Sequence, residues 1–185
     1  QECFRQALQL QPDNERALSG LARALYGSQA YEEAYDTYSI LLSRQPEHKT
    51  YQLNAAVCLL HLQRADEALK LLYKLSYIYP DDLTVSRVQA WALTVGHKYE
   101  QADKSYCQLL AVAEPQPADM LNYGYCLWLS RNLVTAIGMF RQFLSSQTDE
   151  TFNIQEEFMG AGHQLLADGG ITDTEIRLMV DAVVL

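Results

Sequence analysis

The sequence predicts an all-α solenoid of antiparallel helix pairs, and three observations carry that prediction. Small residues recur at Ala34, Ala68, Ala102 and Ala136, each 34 residues from the last. Bulky apolar residues follow each of them at fixed offsets: Tyr38, Leu72, Tyr106 and Phe140, then Leu41, Leu75, Leu109 and Phe143. Prolines fall at the same step, at Pro12, Pro46 and Pro80, with Pro115 one residue late. A fixed period of this length marks a repeat array, in which one supersecondary unit stacks on the next.

Each unit reads as two helices. Within Glu32–Leu42 the apolar positions fall at i, i+4 and i+7, the face of a helix with 3.6 residues per turn. Leu18, Leu21, Ala22 and Leu25 repeat that pattern within Arg16–Tyr26. Two further columns, Ala22/Ala56/Ala90/Gly124 and Leu25/Leu59/Leu93/Leu127, keep the same step. The small columns mark where two helix backbones approach most closely, since larger side chains would force them apart. The prolines close each second helix, lacking an amide hydrogen and clashing with the preceding turn.

In order, residues 1–14 form the second helix of a cut repeat (Phe4, Ala7, Pro12), followed by units at 15–48, 49–82, 83–116 and 117–150. The third and fourth units have Glu114 and Thr148 where the earlier ones end in proline, and are correspondingly less regular. The period stops after residue 150. Thr151–Ala167 reads as one helix ended by Asp168-Gly169-Gly170, and Thr172-x-x-Glu175 as a capping box opening a last helix to about Val184. The opening Gln-Glu-Cys-Phe looks like the inside of a helix, so the natural chain is expected to extend upstream as part of a larger protein.

The small–Leu pair of the first helix and the run Ala34…Tyr38…Leu41…Pro46 resemble the tetratricopeptide repeat, over roughly Gln1–Gln147. The family's first-helix tryptophan is replaced by Leu18, Gln52, Ser86 and Met120. The resemblance implies a right-handed superhelix whose first helices line a concave groove. Its groove positions correspond to Arg16, Ser19, Arg23 and Tyr26, then Asn54, Val57 and Leu60, then Arg87, Trp91 and Thr94. The fourth unit contributes Leu121, Asn122, Tyr125 and Trp128. These positions hold three arginines, no carboxylate and both tryptophans, and Arg and Trp dominate binding hot spots. For Trp91 and Trp128 the alternative is a core position between adjacent units. Relatives that clamp a C-terminal carboxylate use a Lys–Asn–Asn–Lys–Arg set. Ser19, Arg23, Asn54, Thr84 and Val88 stand there, and only Asn54 matches, so that clamp is not expected.

Charge narrows the partners. The formal net charge is −9, from 23 acidic and 14 basic residues among 185, which argues against nucleic acid and anionic membrane. Residues 149–185 hold eight acids against Arg177 alone, a net of −7 in a chain whose remainder is nearly neutral. Asp149, Glu150, Glu156, Glu157, Asp173, Glu175 and Asp181 suit the polar outer face of a capping segment, with an acidic recognition tail as the alternative. The longest apolar run, Ala55–Leu60, is far short of the ~20 residues that span a bilayer, so direct membrane insertion is not expected.

No signature of catalysis or of a cofactor occurs: no H-E-x-x-H, G-x-S-x-G, P-loop or G-x-G-x-x-G. The acid pairs Glu32/Glu33, Asp66/Glu67 and Asp81/Asp82 sit in turns or helix starts, where carboxylates favour the helix dipole. Cys3, Cys58, Cys107 and Cys126 show no metal-ligand spacing and read as free thiols buried as small apolar groups, which favours a cytoplasmic setting. The expected function is a non-catalytic module that binds a peptide or helical segment of a protein partner in the groove, with no cofactor or metal. Alternatives are an assembly unit that self-associates through its open N-terminal end, or a secretion-type chaperone.

Overall fold

The 34-residue step becomes a helix hairpin because each amphipathic segment ends at a defined turn. The computed structural model describes residues 1–148 and 151–185, and every regular element among them is a helix. These are α1 (Glu2–Leu10), α2 (Glu15–Gly27), α3 (Tyr31–Arg44), α4 (Lys49–His61), α5 (Ala65–Ile78), α6 (Leu83–Val95) and α7 (Tyr99–Val112). There follow α8 (Pro117–Leu129), α9 (Leu133–Ser145), α10 (Ile154–Met159), α11 (His163–Asp168) and α12 (Asp173–Val184). The chain divides into two compact units, residues 1–92 and 93–185.

In the first unit α1 packs on α2, α2 on α3, α3 on α4 and α4 on α5. The periodic columns form its interior: Ala22, Ala34, Ala56, Ala68 and Ala90 have no exposed surface, and Tyr38, Leu41, Leu59, Leu72 and Leu75 are at most 2% exposed. Each such Leu contributes about 1.5–3 kcal/mol by leaving water. At the consensus tryptophan position, Gln52 is buried and its side-chain amide donates to the Pro46 carbonyl. In the second unit α7 packs on α8, α8 on α9, and α12 on α9 and α10. Leu93, Ala102, Tyr106, Leu109, Leu127, Ala136, Phe140 and Phe143 are its buried column residues.

First helices start at cap residues spaced 34 apart, Asn14, His48, Asp82 and Gln116. Asn14 accepts from the Ala17 amide at 3.1 Å, and Asp82 from the Thr84 and Val85 amides at 2.9 and 3.2 Å. Asp119 accepts from the Gln116 amide at 3.0 Å, with Pro117 in the first turn of α8. First helices stop with a left-handed residue at Gln29, Gln63, His97 and Arg131, whose φ values run from 56° to 68°. Around each, two reversed hydrogen bonds close the helix end. In α4 they are Gln63 N–H to Leu60 O (3.1 Å) and Arg64 N–H to Leu59 O (2.8 Å).

Three expectations are corrected. The C-terminal segment has three helices rather than two, because the stretch expected as one helix over 151–167 breaks at Gly160–Gly162. A Cβ on Gly162 would run into the Tyr125 hydroxyl, so the chain passes there only as glycine. Cys3 and Cys107 are exposed, so only Cys58 and Cys126 are buried as small apolar groups. Phe4, Ala7 and Leu8 were expected to lie exposed at the open N-terminal end; Ala7 and Leu8 are half-buried, and Phe4 and Leu10 are the exposed large apolar residues of α1. The last cap follows the expected pattern: Gly170 is left-handed at φ 74°, and Thr172 and Glu175 form a reciprocal capping box. Asp149 and Glu150, expected in the acidic cap, lie outside the described residues. Glu156, Asp173 and Asp181 are exposed.

Candidate functional site

The first unit carries a cavity of about 400 Å³ between the first helices of successive repeats. Four of the residues read as groove-lining meet there: Arg23 and Tyr26 from α2, and Asn54 and Val57 from α4. Their convergence follows from the register, since Arg23 and Val57 are 34 residues apart and stand at equivalent places on neighbouring hairpins. Leu53 adds apolar wall from α4, and Thr84 and Val88 close the cavity from α6.

Tyr38 of α3 is the floor. Sequence reasoning placed it in the core, and at 2% exposure it is there, but its hydroxyl accepts a hydrogen bond from Asn54 Nδ2 at 3.1 Å. Burial raises the Tyr38 phenol above its ordinary range, against the opposing effects of the Asn54 hydrogen bond and the Arg23 charge. The phenol is therefore a neutral donor at pH 7. Its column holds Leu72, Tyr106 and Phe140 elsewhere, so the hydroxyl alone does not set the position apart in the sequence. The lining contains one cation and no carboxylate.

Tyr26 stands at the rim in an aromatic cluster. Its hydroxyl lies 3.1 Å from His61 Nε2, and the His61 ring stacks on Tyr31 at 4.1 Å between centroids. Burial lowers the His61 pKa, and the imidazole shares a hydrogen bond with the Tyr26 hydroxyl that holds that ring in place.

Other expected groove residues do not join this cavity. Arg16 is exposed and Ser19 half-buried on α2, and Arg87 and Trp91 are half-buried on α6. Leu121 and Asn122 are half-buried in the second unit. Leu60, Thr94, Tyr125 and Trp128 are corrected from groove to core, being at most 4% exposed. For the two aromatics the reason is α10. Phe158 packs edge-on to Trp128 at 5.2 Å and to Tyr125 at 5.7 Å, and the Tyr125 hydroxyl donates to Glu157 at 2.9 Å. A helix outside the 34-residue period thus covers the face that periodicity alone would leave open.

Among the described residues, no group of three or more His, Cys, Asp and Glu could hold a metal ion, and no helix is long and apolar enough to cross a membrane.

Two family profiles, each described as tetratricopeptide repeat, match residues 1–53 and 31–82. The tetratricopeptide repeat protein 30 homolog of Caenorhabditis briggsae is 33% identical over 99 residues, which are 54% of this chain and 14% of that protein's length. A tetratricopeptide repeat protein of Parabacteroides merdae superposes with a TM-score of 0.72 at 13% identity, covering 98% of this chain and 75% of its own. YrrB, described as a tetratricopeptide-repeat protein with an unusual peptide-binding site, superposes with a TM-score of 0.57 at 15% identity, over 98% of this chain and 90% of its own. At these identities the two structural likenesses show the fold alone.

Proposed function

We propose that this chain, which belongs to the tetratricopeptide-repeat family, is a non-catalytic interaction module that binds a segment of a protein partner in the cavity of residues 1–92. The observation that carries this reading is the meeting of Arg23, Tyr26, Asn54 and Val57 around one cavity of about 400 Å³. That size suits one or two peptide side chains. Apolar wall from Leu53, Val57 and Val88 offers burial, and Asn54 and Tyr38 offer directional hydrogen bonds. YrrB, which shares this fold, is described as having a peptide-binding site.

The test is capture of a partner from source lysate by the wild-type chain and by an Arg23→Ala/Val57→Asp variant. That variant removes the cation and puts a charge on the apolar wall. A captured protein that is lost with the variant, while circular dichroism stays helical, supports the reading. Capture that survives the variant overturns it.

A second reading, assembly through the N-terminal end, rests on α1. That helix buries no residue fully, and Phe4 and Leu10 remain 36% and 85% exposed. Light scattering over a concentration series decides it: a mass that rises with concentration and falls back with Leu10→Glu favours assembly.

A further inference from the structure

We propose that the cavity of residues 1–92 is a receptor for an acidic side chain of an extended peptide, its carboxylate taken by Arg23, the Tyr38 hydroxyl and Asn54, and the adjoining apolar residue by Leu53, Val57 and Val88. This deepens the groove reading and rests on it.

The Tyr38 hydroxyl uses its lone pair on Asn54 Nδ2, and its own proton goes to no acceptor among the described residues. Tyr38 is a buried residue whose hydroxyl proton faces the cavity, so an acceptor on a ligand gains a hydrogen bond there. Asn54 has a second amide hydrogen beside the one given to Tyr38. Arg23 is exposed and forms no ion pair among the described residues, in a chain with 23 carboxylates to choose from. Three donors, one of them charged, thus surround a space whose lining contains no carboxylate.

The electrostatics discriminate between ligand classes. A cationic side chain would be repelled by Arg23, and a neutral amide would leave the guanidinium without a counter-charge. A carboxylate satisfies all three donors, and hydrogen bonds to an ionised acceptor are roughly twice as strong as neutral ones. Tyr38 belongs to the floor, so the group that reaches it must project from the peptide main chain. A Glu or Asp side chain does so, whereas a terminal carboxylate would have to bury the chain end itself. The absence of the terminal-carboxylate clamp residues agrees: Ser19, Thr84 and Val88 stand at three of its positions.

The experiment is a nuclear magnetic resonance titration of the full chain, following the Asn54 side-chain amide, with three short peptides. These are acetyl-Gly-Glu-Leu-Gly-amide, the same peptide with Gln for Glu, and acetyl-Gly-Gln-Leu with a free C-terminal carboxylate. The Glu peptide is expected to shift the Asn54 resonances saturably, about tenfold or more tightly than the other two. Tyr38→Phe should erase that preference while circular dichroism stays unchanged, since Phe140 fills the same column elsewhere. Equal binding of the Glu and Gln amides overturns the carboxylate assignment and leaves the groove reading standing. Tightest binding of the free-terminus peptide overturns the side-chain assignment. If no peptide perturbs Asn54, the carboxylate receptor falls, and partner capture alone then decides the groove.

Discussion

A Cβ built on Gly124 of α8 would lie 2.5 Å from Cε1 of Phe140 on α9, and 2.7 and 2.9 Å from two more atoms of that ring. Phe140 has no exposed surface and packs edge-on to Tyr125, Trp128 and Phe158, so the ring has nowhere to withdraw. The alanine column of the other repeats is glycine here because this ring occupies the space. Gly124→Ala should therefore destabilise the protein by about 1–3 kcal/mol, the usual cost of overpacking. Gly138 offers the control, since a Cβ there meets nothing within 4 Å. Gly138→Ala lies inside α9 and should stabilise by about 0.5–1 kcal/mol. Urea unfolding of the two variants must give shifts of opposite sign.

The left-handed residues at the ends of α2 and α4 supply a second prediction. Gln63 is exposed and sits at φ 59°, where a side chain costs roughly 1–2 kcal/mol and glycine nothing. Glycine's extra freedom in the unfolded chain returns about 0.5–1 kcal/mol of that. Gln63→Gly should thus raise stability by up to about 1 kcal/mol, and Gln63→Val should lower it. A fall in thermal midpoint with glycine would contradict the helix-end geometry at this turn.

These turns also show where the sequence was legible and where it was not. The columns at Ala34, Tyr38 and Leu41 announce themselves because burial restricts residue type, and the 34-residue step multiplies the signal. The turns obey the same step, but Gln29, Gln63, His97 and Arg131 carry no glycine, so local chemistry does not mark them. What holds them left-handed is the pair of reversed hydrogen bonds imposed by the packed hairpin, which no single residue encodes. Four cavity residues were legible from register, whereas Tyr38 was hidden by its role in the core. Trp128 and Tyr125 were misplaced because Phe158, which buries them, lies beyond the last repeat and shares no period with it.

Thiol chemistry separates the four cysteines. Burial pushes the Cys58 and Cys126 thiols up to about 11, so almost no thiolate forms at pH 8, and both are shielded. Cys3 and Cys107 are exposed. Iodoacetamide at pH 8 should add two groups to the native protein, at Cys3 and Cys107, and four after denaturation, read by mass spectrometry with peptide mapping. Rapid native labelling of Cys58 would show that the packing between α2 and α4 is looser than described.

Asp82 joins two repeats and starts a helix, and the two roles can be separated by pH. Its carboxylate accepts from Lys49 Nζ at 2.6 Å and from the Thr84 and Val85 amides at 2.9 and 3.2 Å. The Lys49 hydrogen bond, helped by these amides, holds the carboxyl below its ordinary range in the folded state. A carboxyl depressed on folding contributes stability that is fully present above the unfolded value, about 3.9, and is lost as pH falls through the folded value. Wild type should therefore lose stability in acid more steeply than Asp82→Asn, in which the amide oxygen still caps α6 but carries no charge to titrate. The gap between the two urea midpoints should be widest above pH 5 and close as pH falls below the ordinary carboxylate range. Asp82→Ala loses the cap as well, so part of its deficit should persist at low pH. A gap between wild type and Asp82→Asn that stays constant across the acid limb would mean that the Lys49 pairing does not perturb Asp82 in solution.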